Sequence, residues 1–263
     1  MLTVRDVLKK LFELAPFELK EDWDNVGLLC GSAEQPVHKI LVALDATLTV
    51  LREAKARGCD LVVTHHPILF GEIRAVNDGT ATGKELLFAI QNGIACVNLH
   101  TNLDCVAGGV GDCLARAIGL ENAKPIAPRG TDGQGRPYGY VYGAEIPETA
   151  LADFAGKVKQ ALGCSGLRYC DGGKPVRRVA VGGGACGDEI PEVLAQGYDT
   201  FVTADLKYHT FLDAAETGLN LIDAGHFQTE NLICPKLYEY LQKSFPELTV
   251  LLSETHRDPI CFV

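Results

Sequence analysis

One plan is stated twice along this chain, and it restricts the fold more than any other feature. Lys39–His66 and Arg178–His209 each open with an apolar strand, Ile-Leu-Val-Ala-Leu in one and Val-Ala-Val-Gly-Gly in the other, followed by a helical stretch. Each then closes on Gly-x-Asp and a second strand: Gly58-Cys59-Asp60-Leu61-Val62-Val63-Thr64 in the first, Gly197-Tyr198-Asp199-Thr200-Phe201-Val202-Thr203 in the second. Downstream, Asn92 through Asp104 answers Thr217 through Glu230. The longer spacing from Thr64 to Gly93 marks an insertion around Phe70–Thr82. Strand, helix and strand in this order predict largely buried sheets under covering helices, and a repeat of the unit predicts duplication. The expected fold class is therefore α/β, with two related, pseudo-duplicated halves and the functional site at their junction.

The remaining patterns agree. Helical periodicity runs over Val4–Leu14, Thr49–Arg57, Gly83–Asn92, Val110–Ile118, Leu151–Ala161, Glu189–Ala195, Tyr208–Thr217 and Asn231–Phe245. Between these lie β-rich runs such as Ile40–Leu44, Leu61–Thr64, Ile94–Asn98, Tyr138–Gly143, Val176–Val181, Thr200–Thr203, Asn220–Asp223 and Leu248–Leu252. Glu121–Tyr138, with Pro125, Pro128, Gly130, Gly133, Gly135 and Pro137, breaks regular structure and reads as the crossing between halves. The expected domains are residues 1–124 plus 226–263, discontinuous, and 125–225. The helix after Glu230 is expected to pack on the first.

The chemistry gathers where strands end. In Leu61-Val62-Val63-Thr64-His65-His66-Pro67, Pro67 stops the strand and leaves two imidazoles at its carboxyl end, the rim where open α/β sheets bind ligands. His100-Thr101-Asn102-Leu103-Asp104 follows the strand Ile94–Val97, and His226-Phe227-Gln228-Thr229-Glu230 follows Leu219–Ile222. Each pairs a histidine with a carboxylate four positions on, a spacing that puts both on one helix face. Imidazole with carboxylate suits Zn, Fe, Mn, Co or Ni, and a carboxylate can bridge two cations. Capping of a helix start by the acid is the structural alternative for each pair. In the second half Ala204-Asp205 stands where His65-His66 stands in the first, so the site is expected to be asymmetric.

Composition removes several classes. No apolar run approaches a membrane span, and the opening Met1-Leu2-Thr3-Val4-Arg5-Asp6 reads as an amphipathic helix, not a secretory signal. The ten cysteines are scattered without a Cys-x-x-Cys pair, which predicts free buried thiols and a cytoplasmic setting. A net charge of −10 without a basic stripe argues against nucleic acid as a partner.

In order along nearly the whole chain stand Trp23-Asp24-Asn25-Val26-Gly27-Leu28, Val63-Thr64-His65-His66-Pro67 and His100-Thr101-Asn102-Leu103-Asp104. Gly108-Gly109-Val110, Thr203-Ala204-Asp205-Leu206-Lys207-Tyr208-His209 and Gly225-His226-Phe227-Gln228-Thr229-Glu230 follow. On these motifs the chain resembles the Ngg-interacting-factor-three-like family, whose members often carry the label GTP cyclohydrolase type 2 homologue, in its compact version without an inserted domain. One departure is Gly182-Gly183-Gly184-Ala185-Cys186, where the family usually ends the run in serine. The resemblance implies two divalent metal ions per chain, one held by His66 and Asp104, the other by His65 and His226, with Glu230 bridging. It also implies a toroidal homohexamer, a trimer of dimers, and no membrane.

Two cations close together generate hydroxide near neutral pH and stabilise developing negative charge, so hydrolysis of a C–N or phosphoester bond in a nucleotide or related small molecule is the expected class. His100 and His209 are the candidates for proton transfer, or for orienting the ligands. Asp24 and Asp45 are placed to hydrogen-bond ligand imidazoles, Lys207 to meet a phosphate, and Gly182–Gly184 to let backbone approach a ligand or form a tight turn. A metal-binding scaffold or metallochaperone without turnover is the alternative of a different class.

Overall fold

A computed structural model describes residues 1–263. The chain folds into two compact α/β units: Met1–Leu103 with Ile233–Arg257, and Asp104–Leu232 with Asp258–Val263.

The first unit is built on a five-stranded sheet in the order Gly27–Cys30, Ala95–Asn98, Leu61–Thr64, Lys39–Ala43, Thr249–Leu252. The last four strands are mutually parallel, and Gly27–Cys30 runs antiparallel at the edge. Strands Leu61–Thr64 and Ala95–Asn98 are buried along their whole length, as their continuous apolar character requires of a sheet covered on both faces. Register sets Ala43 beside Thr64 and Thr64 beside Asn98, so the parallel strands end level with one another. Helix Leu48–Ala56 buries Val50, Leu51 and Ala54 on this sheet. Glu53 of the same helix clamps the segment after the last strand, accepting hydrogen bonds from Ser253 Oγ and Thr255 Oγ1, both 2.6 Å, and from the Glu254 amide.

In the second unit a six-stranded sheet runs Lys124–Pro125, Tyr142–Thr149, Val176–Val181, Thr200–Thr203, Asn220–Asp223, Arg168–Cys170. Val176–Val181, Thr200–Thr203 and Asn220–Asp223 are parallel, and Arg168–Cys170 is antiparallel beside the last of them. Three parallel strands with an antiparallel edge strand thus recur in both sheets in equivalent order.

Two expectations are corrected in detail. The crossing Glu121–Tyr138 is not structureless: it contributes the edge strand Lys124–Pro125 and a small hairpin of Gly130–Thr131 with Pro137–Tyr138. The helix expected over Asn231–Phe245 starts at Ile233, after a separate short helix His226–Glu230. Pro235 has no N–H to give and is tolerated only in a first turn, which sets that start. The chain passes between the two units after Leu103, Leu232 and Arg257. Helix Val110–Ala117 belongs to the second unit because Leu114 and Ala115 pack into its core with Tyr142, Phe154, Val158 and Val179. Helix Ile233–Ser244 packs on strands Lys39–Ala43 and Thr249–Leu252 of the first unit.

Candidate metal centre

At the carboxyl rim of the first sheet, strand Leu61–Thr64 delivers His65 and His66, and strand Ala95–Asn98 delivers His100 two residues past its end. The turn is locked locally: the Thr64 hydroxyl donates to the His66 carbonyl at 2.7 Å, and the His66 amide donates to the Leu44 carbonyl at 3.0 Å. The three rings lie 5.0–5.6 Å apart between centroids, and each offers a nitrogen within 4.8 Å of the others.

The opposite ring nitrogens are fixed. His65 Nδ1 donates to the Leu99 carbonyl (2.8 Å), His66 Nδ1 to Asp45 (2.7 Å) and His100 Nδ1 to Asp24 (2.8 Å). A carbonyl only accepts, and so does an ionised carboxylate. Each ring therefore carries a proton on Nδ1, and in the neutral imidazole Nε2 is then the lone-pair nitrogen, the arrangement that metal-ligating histidines show. Burial works against the charge of Asp24, but the bonds from His100 and from the Thr101 hydroxyl (2.6 Å) and amide outweigh it and hold the carboxyl below its usual range. Asp24 and Asp45 are thus the orienting carboxylates of this rim.

The second unit carries its own group. Helix His226–Glu230 presents His226 and the buried Glu230 on one face, with His226 Nε2 2.8 Å from Glu230 Oε2. Asp104 and Glu230 offer carboxylate oxygens within 4.8 Å of one another. On the far side of the ring His226 Nδ1 lies 2.7 Å from Asp205. Burial disfavours the imidazolium, but Glu230 and then Asp205 more than compensate and raise His226 to about 9. The His226 imidazolium, donating Nε2–H to Glu230 and Nδ1–H to Asp205, thus holds the place of positive charge that a cation would take.

The Gly182-Gly183-Gly184 run explains its composition here. Gly184 sits at φ +59°, donates its amide to Thr229 Oγ1 (3.0 Å), and accepts from the Thr203 hydroxyl (2.9 Å). A Cβ there would lie against Glu230 Oε1, 2.8 Å from its Cδ and 3.2 Å from His226 Nε2. The close backbone approach at Gly184 is to the glutamate. Cys186, in the family's serine position, donates its thiol to the Gly183 carbonyl (3.1 Å). Burial, reinforced by the charges of Asp104 and Glu230, pushes that thiol well above its ordinary pKa, so it stays neutral.

Of the other residues singled out from sequence, Lys207 caps helix Tyr208–Thr217 and is exposed. His209 is exposed on the first turn of that helix, its ring against Tyr208. Sequence reasoning missed Asp205 as the partner of His226, although its place opposite His65-His66 in the repeat was the available signal. Arg168 was also missed: it pairs with Asp223 and lines a cavity of about 210 Å³ beside His226, with Asp205, Asp258, Ile260 and Phe262.

Each of the two α/β units brings to the ends of its parallel strands side chains that could hold a metal ion, imidazoles in the first and carboxylates with an imidazole in the second, which defines an α/β protein with metal-competent groups. The description Duf34/NIF3 (NGG1p interacting factor 3) fits residues 2–259, and the chain belongs to that family. It is 35% identical over 266 residues to a Clostridium acetobutylicum protein named GTP cyclohydrolase 1 type 2 homolog, covering 99% of both. A Clostridium perfringens protein of the same name is 31% identical over 265 residues, covering 100% of both. Among solved structures, a Bacillus cereus protein related to NIF3 matches with a TM-score of 0.92 at 25% identity over 100% of this chain and 99% of that one. A Staphylococcus aureus hypothetical protein matches at 0.91 and 28%, covering 99% of each chain.

Proposed function

We propose that this protein is a metal-dependent hydrolase acting on a C–N or phosphoester bond of a nucleotide or related small molecule. Its two divalent ions would be held by His65, His66, Asp104, His226 and Glu230, with Glu230 serving both. The observation that carries this reading is the fixed Nδ1 proton of His65, His66 and His100, which leaves Nε2 of each neutral ring as the nitrogen able to ligate. The His226–Glu230 pair, four residues apart on one helix, supplies the mixed donor set in the second unit. When bound, paired cations lower the pKa of water to near neutrality and stabilise developing negative charge.

The chain's own residues do the rest. Asp45 and Asp24 orient the rings of His66 and His100, and Asp205 orients His226, whose Nε2 exchanges its proton and its bond to Glu230 for a cation on binding. His100, beside the two ligand histidines and backed by Asp24, is the group placed to move a proton; His209 rests on its sequence position alone. The chain's net charge of −10, and the three aspartates against one paired arginine at the cavity beside His226, leave the metals as the source of attraction for an anionic substrate. The names of the clostridial relatives favour a nucleotide. We further propose duplication of one α/β unit as the origin of the two sheets, a homohexameric ring as the working assembly, and the cytoplasm as its setting. No helix is long and apolar enough to cross a membrane.

Elemental analysis of the purified protein, followed by assays on GTP, other nucleotides, phosphodiesters and cyclic amides, tests the reading. Glu230→Ala should lose both metals, His66→Ala should keep one, and His65→Ala with Glu230→Ala should abolish turnover. Turnover unchanged in the double variant would sink the metal mechanism. Readily exchanged metal without turnover on any substrate would make the protein a metal-binding scaffold instead.

A further inference from the structure

The motif Trp23-Asp24-Asn25 is accounted for in two of its three residues. Asp24 orients His100 and Thr101. Asn25 donates through Nδ2 to the Leu69 carbonyl at 2.8 Å, and its own carbonyl accepts from Asn98 Nδ2 at 2.8 Å. Asn25 thereby ties the segment carrying Trp23 to the segment carrying Phe70. Trp23 has no comparable task in the fold: it is the only tryptophan of the chain, yet it is 65% exposed. Phe70 is 63% exposed.

Isolated exposed apolar residues are ordinary on a protein surface. These two share a neighbour. Trp23 meets the His100 ring edge-on at 6.2 Å and 81°, and Phe70 meets it at 5.8 Å and 90°. Phe70 also reaches the His66 ring at 6.1 Å. Two large aromatic faces, fixed at their backbones and open at their rings, therefore flank the histidine rim. A flat π-surface beside a polar reacting centre fits a planar ring, which stacks on aromatics whatever its hydrogen-bonding edge.

We infer that Trp23 and Phe70 form the stacking face that seats the planar heteroaromatic ring of the substrate beside His66 and His100. The occupant is a nucleobase or a related fused nitrogen heterocycle, and the two side chains set selectivity for a ring over a bare sugar phosphate. This rests on the hydrolase reading for what happens to the ring after it binds, but binding itself is measured separately.

The single tryptophan makes the test direct. The full-length, metal-loaded protein is titrated with guanosine, adenosine, GTP and ribose 5-phosphate while Trp23 fluorescence is followed. The ring-bearing compounds should quench it saturably, and ribose 5-phosphate should not. Iodide should reach the indole before ligand and lose access after it. By calorimetry, Phe70→Ala and Trp23→Ala should each weaken nucleoside binding by roughly 5- to 100-fold, and Trp23→Phe should restore most of it. Metal content and circular dichroism should match wild type in all three variants.

The inference is overturned if no nucleoside quenches, if ribose 5-phosphate quenches as well as GTP, or if both alanine variants bind nucleosides unchanged. It is equally overturned if iodide cannot reach Trp23 in the ligand-free protein, because a second copy of the chain then covers that face. Quenching by nucleosides without hydrolysis of any substrate would remove the hydrolase reading and leave the stacking face standing. Metal-dependent hydrolysis with unaltered Trp23→Ala and Phe70→Ala variants would do the reverse.

Discussion

Replacing Gly184 by alanine should damage Glu230 beyond any cost of backbone strain, and a second glycine of the same unit separates the two effects. Gly163, the residue after helix Leu151–Leu162, sits at φ +66° with nothing within 4 Å of where its Cβ would be. Gly184 has nearly the same φ, +59°, but its Cβ would fall on the Glu230 carboxylate. The left-handed conformation costs an L-residue about 1–2 kcal/mol. Stiffening the unfolded chain returns about 0.4–1 kcal/mol of that. Gly163→Ala should therefore cost about 1 kcal/mol or less. In Gly184→Ala the carboxylate must swing away, losing its charged bond to His226, worth about 1.5–3 kcal/mol. Gly184→Ala should thus be about 2 kcal/mol worse than Gly163→Ala in urea unfolding of chelator-treated protein. It should also hold less metal after identical dialysis, whereas Gly163→Ala should hold the wild-type amount. Equal stability losses in the two variants, with equal metal content, would refute the claim that the glycine run exists to make room for Glu230.

Other perturbations follow from the same geometry. Burial works against Glu53's charge, but the bonds from Ser253, Thr255, Glu254 and Arg57 lower its pKa from 4.5 to about 2. Its contribution is then present above pH 4.5 and lost as pH falls through about 2. Glu53→Gln should cost about 2–3 kcal/mol at pH 7, with the gap to wild type closing by pH 2; a gap independent of pH would contradict this. Asp45→Asn, which loosens the hold on the proposed ligand His66, should weaken metal binding about 10- to 100-fold by calorimetric titration without unfolding the protein, and unchanged affinity would exclude its orienting role. Asp24→Asn, whose partner His100 is not a proposed ligand, should lower turnover more than metal affinity. His100→Ala should reduce turnover far more than His209→Ala, whose side chain is exposed against Tyr208 alone; the opposite order would move the proton-transfer assignment.

Much of the plan was legible in the chain because its signals are local. Continuous apolar runs such as Leu61–Val63 and Phe201–Val202 can satisfy themselves only inside a covered sheet, and Pro67 ends its strand by chemistry alone. A histidine and a glutamate four residues apart on one helix must share a face, so the His226–Glu230 pair was readable before any coordinates. The short edge strands Gly27–Cys30 and Arg168–Cys170 were not foreseen, because three or four residues are too few to carry a period and pair only when a sheet edge is offered. What helix Val110–Ala117 packs against was not readable, because an amphipathic pattern says that a face is buried, not against what.

Sequence by itself determined the α/β alternation, the strand ends that carry His65, His66, His100 and His226, and the residue types able to hold a cation. Only the tertiary structure decided which nitrogen of each ring is held, that Asp205 and not a histidine backs His226, and that Gly184 is glycine for Glu230's sake. It alone set Trp23 and Phe70 around His100. The reason is physical. Secondary structure and helix-face pairing depend on neighbours a few positions apart, while a hydrogen bond such as His100 to Asp24 joins residues 76 positions apart and exists only after the sheet has brought their strands' ends together.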